Sequence, residues 1–134
     1  MNIIAAKDTP IIQLEEFLKT TPNNIHKDSL LEDGYVVEID QKIKGCFVLS
    51  QVNDGVFWLK QLYVAQEEAA NLPVLLETII TMAKGLHAKK LFVHSHQPVV
   101  DILLDALQFH PQERDLLVDN PPRSRGNWWA YDVS

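Results

Sequence analysis

The chain has 134 residues, 46% of them hydrophobic and 22% charged, with a formal net charge of −6. That is one domain's length with enough apolar content for a core, so a single domain over 1–134 is expected. The acidic balance argues against a nucleic-acid partner, because phosphates need a basic face, and no apolar run reaches the roughly 18 residues of a membrane span, so no membrane partner and a cytoplasmic location are expected.

Asn2–Lys7 reads as a short strand. Thr9-Pro10 looks like an N-cap followed by the first helical position, where a proline loses no useful donor. Behind it Ile11, Leu14, Phe17 and Leu18 recur at helical spacing, and Thr20–Asn24 ends the helix. His26–Glu32 reads as a second short helix.

Three strands follow. Tyr35–Ile39 leads through a turn at Asp40-Gln41-Lys42 into Lys44–Gln51. Asn53-Asp54-Gly55 is a hairpin signal, since glycine tolerates positive φ, and Val56–Val64 is a long third strand. Cys46 lies in the apolar run Gly45–Leu49; a lone cysteine there is a core hydrophobe rather than a nucleophile.

The pattern then turns helical. Pro73–Leu86 places Val74, Leu75, Ile79, Met82, Ala83 and Leu86 on one stripe. Lys90–His94 is a buried strand, and Pro98–Leu107 is an amphipathic helix with Val99, Ile102, Leu103, Ala106 and Leu107 inward and Asp101 and Asp105 outward. Leu116–Val118 and Trp128–Val133 read as the last two strands, joined through Asn120-Pro121-Pro122. The strand–helix–strand crossover embeds a parallel pair in a mixed sheet, so the class is α/β.

This order resembles the GNAT N-acetyltransferases. Val36–Val48 is similar to the family's second and third strands, and Leu59-Lys60-Gln61-Leu62-Tyr63-Val64 to its fourth. Leu75–Ile79 is similar to the start of its central helix, and Leu103-Leu104-Asp105-Ala106-Leu107-Gln108-Phe109 to its Leu-Tyr-x-x-Leu-Gly-Phe segment. The resemblance spans about residues 34–110. It implies a GNAT-like acyl-CoA N-acyltransferase fold, acetyl-CoA as cofactor, and an amine on a small molecule or protein as acceptor. It also sets Val56–Val64 and Lys90–His94 side by side, parallel and diverging at their C-terminal ends.

Two segments depart from the family pattern. Its glycine-rich loop before the central helix lets backbone N–H groups approach the CoA pyrophosphate at a helix start. Here that segment is Ala65-Gln66-Glu67-Glu68-Ala69-Ala70-Asn71-Leu72-Pro73, with no glycine or arginine and two adjacent carboxylates. Weak or undetectable acetyl-CoA binding is therefore expected, together with repulsion of the pyrophosphate by Glu67 and Glu68. The family's tyrosine that protonates the departing thiolate corresponds to Leu104, which has no acid–base chemistry. Leu104→Tyr is the change expected to raise activity. The sequence thus supports either a divergent N-acetyltransferase or a non-catalytic binding or regulatory module on the same scaffold.

Candidate site residues follow from these matches. Leu62, Tyr63 and Val64 can offer backbone groups to an extended pantetheine arm, as a strand pairs with a peptide, and Asn71 stands at the helix start where the pyrophosphate would sit. His94 and His96 end the fifth strand on one face, where the resemblance implies the acyl-transfer cleft and an imidazole can act as base near neutral pH. The competing reading is a structural histidine ahead of the Pro98 helix. No third ligand accompanies the two histidines, so no metal is expected. Arg123 and Arg125 form the one concentrated basic spot. Alternation sends Trp128 and Trp129 to opposite faces, one core and one at least partly exposed, and an exposed tryptophan on a terminal strand suggests an interface or a cleft wall; a homodimer is among the expected partners.

Overall fold

A computed structural model describes residues 1–112 and 126–133. Among them the order is β1 (Asn2–Ala5), α1 (Ile11–Leu18), α2 (Lys27–Asp33), β2 (Gly34–Ile39), β3 (Lys42–Asn53), β4 (Val56–Val64), α3 (Leu72–Gly85), β5 (Lys90–Ser95), α4 (Pro98–Ala106), β6 (His110–Gln112) and β7 (Asn127–Asp132). Short 3-10 helices occupy Ala6–Asp8 and Gln66–Asn71. The strands form a seven-stranded mixed sheet in the order β1-β2-β3-β4-β5-β7-β6. Its parallel pair is β4 and β5, adjacent as the α/β reading requires. The Leu116–Val118 strand, the Asn120–Pro122 loop and the Arg123 and Arg125 spot lie outside the described residues.

The chain divides into two compact units, Met1–Ser50 with Lys60–Leu72, and Gln51–Leu59 with the described part of Pro73–Ser134. In the first, β1 pairs antiparallel with β2, and β2 with β3. Its core joins Leu14 and Phe17 of α1 to Leu30 of α2 and to Val36, Cys46 and Val48 of the sheet. Ile11 turns out 46% exposed, so α1 buries a narrower stripe than its apolar spacing suggested. Thr9 does not cap α1: its hydroxyl donates to the Ala5 carbonyl at 3.3 Å, and Pro10 takes the cap position. At the other end the Thr20 and Thr21 hydroxyls donate to the carbonyls of Phe17 and Leu18, which satisfies last-turn acceptors and stops the helix.

The β2–β3 turn places both Asp40 and Gln41 at positive φ, 52° and 66°, which a tight two-residue hairpin demands. Gly34 packs so close to α2 that a Cβ there would lie 2.4 Å from the Leu30 Cα. Burial pushes the Cys46 thiol up to about 12, so it stays protonated and does not serve as a nucleophile.

In the second unit β4 pairs with β5 from Val56↔Lys90 to Leu59↔Val93. Antiparallel pairing joins β5 to β7 and β7 to β6. Gly55, with φ of 72°, makes the hairpin ahead of β4. Buried Leu75, Leu76, Ile79, Ile80 and Ala83 form the inner face of α3, while Val74 and Leu86 are 54% and 44% exposed.

The inner face of α4 differs from the expected one. Leu104 is its fully buried residue, whereas Val99 and Ile102 are 74% and 71% exposed. Asp101, expected outward, instead accepts a 2.8 Å hydrogen bond from the Trp129 indole N–H. Trp128 and Trp129 are both buried, so neither marks an exposed interface. Trp128 joins Trp58, Phe92 and Ala130 in one cluster.

Candidate active site

The most unusual backbone in the first unit is in β4. Gln61 has φ of 52°, a left-handed conformation in the middle of a strand and rare for a non-glycine residue. Two contacts hold it. Its side-chain oxygen accepts from the His26 backbone N–H at 2.9 Å, and its own carbonyl accepts from the Cys46 thiol at 3.6 Å. Further along, Gly45 of β3 lets the two backbones close up, since a Cβ there would stand 2.7 Å from the Tyr63 carbonyl oxygen. A left-handed residue interrupts a ladder as a β-bulge does, and bulges re-aim the strand beside functional sites. The register with β5 stops at Leu59, two residues before Gln61, while β4 continues to Val64. Leu62, Tyr63 and Val64 thus form an extended strand end with no β5 register partner.

After β4, Gln66–Asn71 winds into a 3-10 helix rather than an open loop. Such a helix spends its N–H groups on carbonyls three residues back. Two of these bonds are Glu68 N–H to the Ala65 carbonyl, and Leu72 N–H to Ala69. Pro73 has no donor at all. An anion arriving here meets few vacant amides.

The two carboxylates are not bare, as the sequence suggested. Glu67 accepts from Lys44 Nζ at 2.9 Å, and Glu68 accepts from the Asn71 side-chain amide at 2.8 Å. The hydrogen bond and charge of Glu67 raise the Lys44 pKa, and those of Lys44 hold Glu67 below its usual range. Repulsion of a phosphate is smaller than two isolated carboxylates would produce.

A cleft of about 490 Å³ also opens in this unit, between α1, the β2–β3 turn and the end of β4. Phe17, Ile43 and Tyr63 supply apolar wall, and Lys42, Lys44, Glu16 and Glu67 supply charge. Sequence reasoning missed it, because the turn residues and α1 are brought together by pairing across more than 20 positions. It missed Gln61 too; nothing in Leu59–Val64 signals positive φ.

His94 and His96 belong to the second unit. His94 is half-buried at the end of β5, with its ring edge-on to Trp128 at 5.1 Å between centroids. Gly126 closes over it: a Cβ there would lie 3.0 Å from His94 Nε2 and 2.2 Å from the Ser95 carbonyl oxygen. His96 is exposed and past the end of β5, so the two histidines do not share a strand face. The buried Ser95 hydroxyl donates to the Gln97 carbonyl at 3.2 Å, a local link that shapes the approach to α4. Among the described residues no three His, Cys, Asp or Glu side chains stand together as a metal site, and no helix is long and apolar enough to cross a membrane.

No family model and no curated protein sequence matches the chain. Solved structures do. A GNAT-family acetyltransferase from Staphylococcus aureus aligns over 99% of this chain and 99% of its own, with a TM-score of 0.74 at 16% identity. An acetyltransferase from Bacillus subtilis, crystallised with CoA, aligns over 98% of this chain and 97% of its own, with a TM-score of 0.70 at 17% identity. An IAA acetyltransferase from Bacillus cereus aligns over the same shares with a TM-score of 0.68 at 16% identity. With the mixed sheet, its parallel β4–β5 pair and the interrupted β4, these likenesses establish that the chain has the fold of the GNAT N-acetyltransferases.

Proposed function

We propose that the protein is a divergent N-acetyltransferase that takes its acetyl group from acetyl-CoA and holds the cofactor by the strand end Leu62–Val64 rather than by a phosphate loop. The observation that carries this reading is β4: Gln61 at φ of 52° and a β5 register that ends at Leu59. Backbone groups on the edge of β4 that has no β5 register partner beyond Leu59 suit the amides of a pantetheine arm, as in strand addition. The same chain fits the arm and not the pyrophosphate, because the 3-10 helix at Gln66–Asn71 uses its amides internally.

When bound, acetyl-CoA supplies an activated acyl carbon. The chain's part is positioning and proton transfer. Backbone groups of Leu62–Val64 orient the arm. His94 takes the proton that the amine must lose, with His96 as the exposed alternative. Leu104, fully buried, gives no proton to the departing thiolate.

His94→Ala or His96→Ala is expected to slow acetyl transfer at least about tenfold, the lower range for a lost general base. The rate is followed by thiol release across a panel of amines. Unchanged rates in both variants would remove the histidines from the mechanism. The wound loop and Leu104 favour a second reading, a binding or regulatory module that kept the scaffold and lost turnover. That reading expects no thiol release with any amine.

A further inference from the structure

We infer that the cleft between α1, the β2–β3 turn and the end of β4 binds a neutral, zwitterionic amino acid with an apolar side chain. Its role as the acyl acceptor rests on the acetyltransferase reading above; the binding itself does not.

Size comes first. A volume of about 490 Å³ is within the range of small-molecule sites and holds a molecule of amino-acid size with its bound water. Charge then narrows the class. The lining carries two cations, Lys42 and Lys44, and two carboxylates, Glu16 and Glu67, so its formal charge sums to zero. A polyamine would need an excess of carboxylates and a nucleotide an excess of cations. A ligand with one charge of each sign and none in sum is the electrostatic complement.

The individual groups suit the two ends of such a ligand. The Lys44 side chain is 25% exposed and gives Glu67 one hydrogen bond from an ammonium that has three donors. A ligand carboxylate can take another, with Lys42 adding charge. Glu16 is 66% exposed and partnered by Lys19 at 3.2 Å, a surface pair weak enough to yield to a ligand ammonium. Phe17, Tyr63 and Ile43 supply apolar surface to the same lining, the Phe17 and Tyr63 ring centroids 6.1 Å apart. Ile12, 74% exposed, adds a further apolar side chain to the lining. Those groups favour a leucine- or phenylalanine-like side chain. Tyr63 also belongs to the strand end that would hold the pantetheine arm, which puts an occupant of the cleft beside the reacting strand.

The test is calorimetric titration of L-leucine and L-phenylalanine into the full chain without acetyl-CoA, with spermidine and succinate as charge controls. Saturable binding of the amino acids is expected, with both controls at least about tenfold weaker. Lys44→Met and Ile12→Glu are each expected to weaken amino-acid binding at least about tenfold. Ile12 is a surface position, so that variant keeps the fold even if loss of the Lys44–Glu67 pair disturbs the loop. No amino-acid binding, spermidine binding as tightly, or unchanged affinity in both variants would overturn the inference. Because acetyl-CoA is absent, a failure to bind cofactor cannot be mistaken for a failure of this site.

Discussion

Leu104→Ala is expected to lower the stability of the fold by about 2–5 kcal/mol, the usual cost of emptying a fully buried leucine site. Leu104 has no exposed surface, and α4 has no other fully buried side chain. The loss removes transferred apolar area and leaves a cavity that the neighbours fill only in part. Urea denaturation reads it as a lower midpoint at unchanged slope. A shift under about 1 kcal/mol would mean that α4 is not anchored through this residue. The same burial revises the expectation for Leu104→Tyr. A tyrosine there brings extra volume and a hydroxyl into a closed core, so it is expected to destabilise by about 1–3 kcal/mol rather than restore an acid.

Gly45→Val is expected to cost about 1–3 kcal/mol or more and to weaken whatever the end of β4 binds. The first Cβ atom would already stand 2.7 Å from the Tyr63 carbonyl oxygen and 3.5 Å from the Val64 Cα. Both are backbone atoms, so relief requires moving the strand and not merely a rotamer. The displaced residues are those assigned to the pantetheine arm. Gly85→Val is the control, since a Cβ at Gly85 meets nothing within 4 Å, although it too carries the ordinary cost of a β-branched residue in a helix. Thermal melts of both variants check the comparison; equal losses would contradict the close approach at Gly45.

Most of the strand framework was legible because its signals are local; β6, a three-residue strand with a proline at its centre, was not. Val56–Val64 was read to the residue, and Asn53-Asp54-Gly55 marks its hairpin through one glycine at positive φ. The orientation of α4 was not legible, because apolar residues surround it. Val99, Val100, Ile102, Leu103, Leu104 and Leu107 cover nearly every face, so periodicity cannot choose among them. A hydrogen bond between Asp101 and Trp129, 28 residues apart, fixes the rotation, and that pairing has no local trace. The tryptophan pair failed for a related reason. Alternation was correct in principle, but both faces of β7 are covered: Trp128 packs with Trp58 and Phe92, and Trp129 meets Asp101 of α4.

The candidate site divides in the same way. His94, His96, Leu62–Val64 and Asn71 are site residues that only the family resemblance suggests. The left-handed Gln61 and the Lys44–Glu67 pair depend on contacts between residues far apart in the chain. Glu67 read alone is a repelling carboxylate; beside Lys44 it is half of a neutral pair.

Acetyl-CoA titration into the unmodified protein, followed by calorimetry with backbone amide shifts as the map, tests the central claim most directly. A strand end without a phosphate loop should bind weakly, with Kd near about 1 mM, or about −4 kcal/mol. The largest amide shifts should fall on Leu62, Tyr63 and Val64, and a Glu67→Arg/Glu68→Gly variant should bind more tightly. No binding by either protein would contradict the account and leave a scaffold whose cleft is closed to CoA. Micromolar binding with shifts centred on Asn71–Val74 would contradict it from the other side, by seating the pyrophosphate on that helix start.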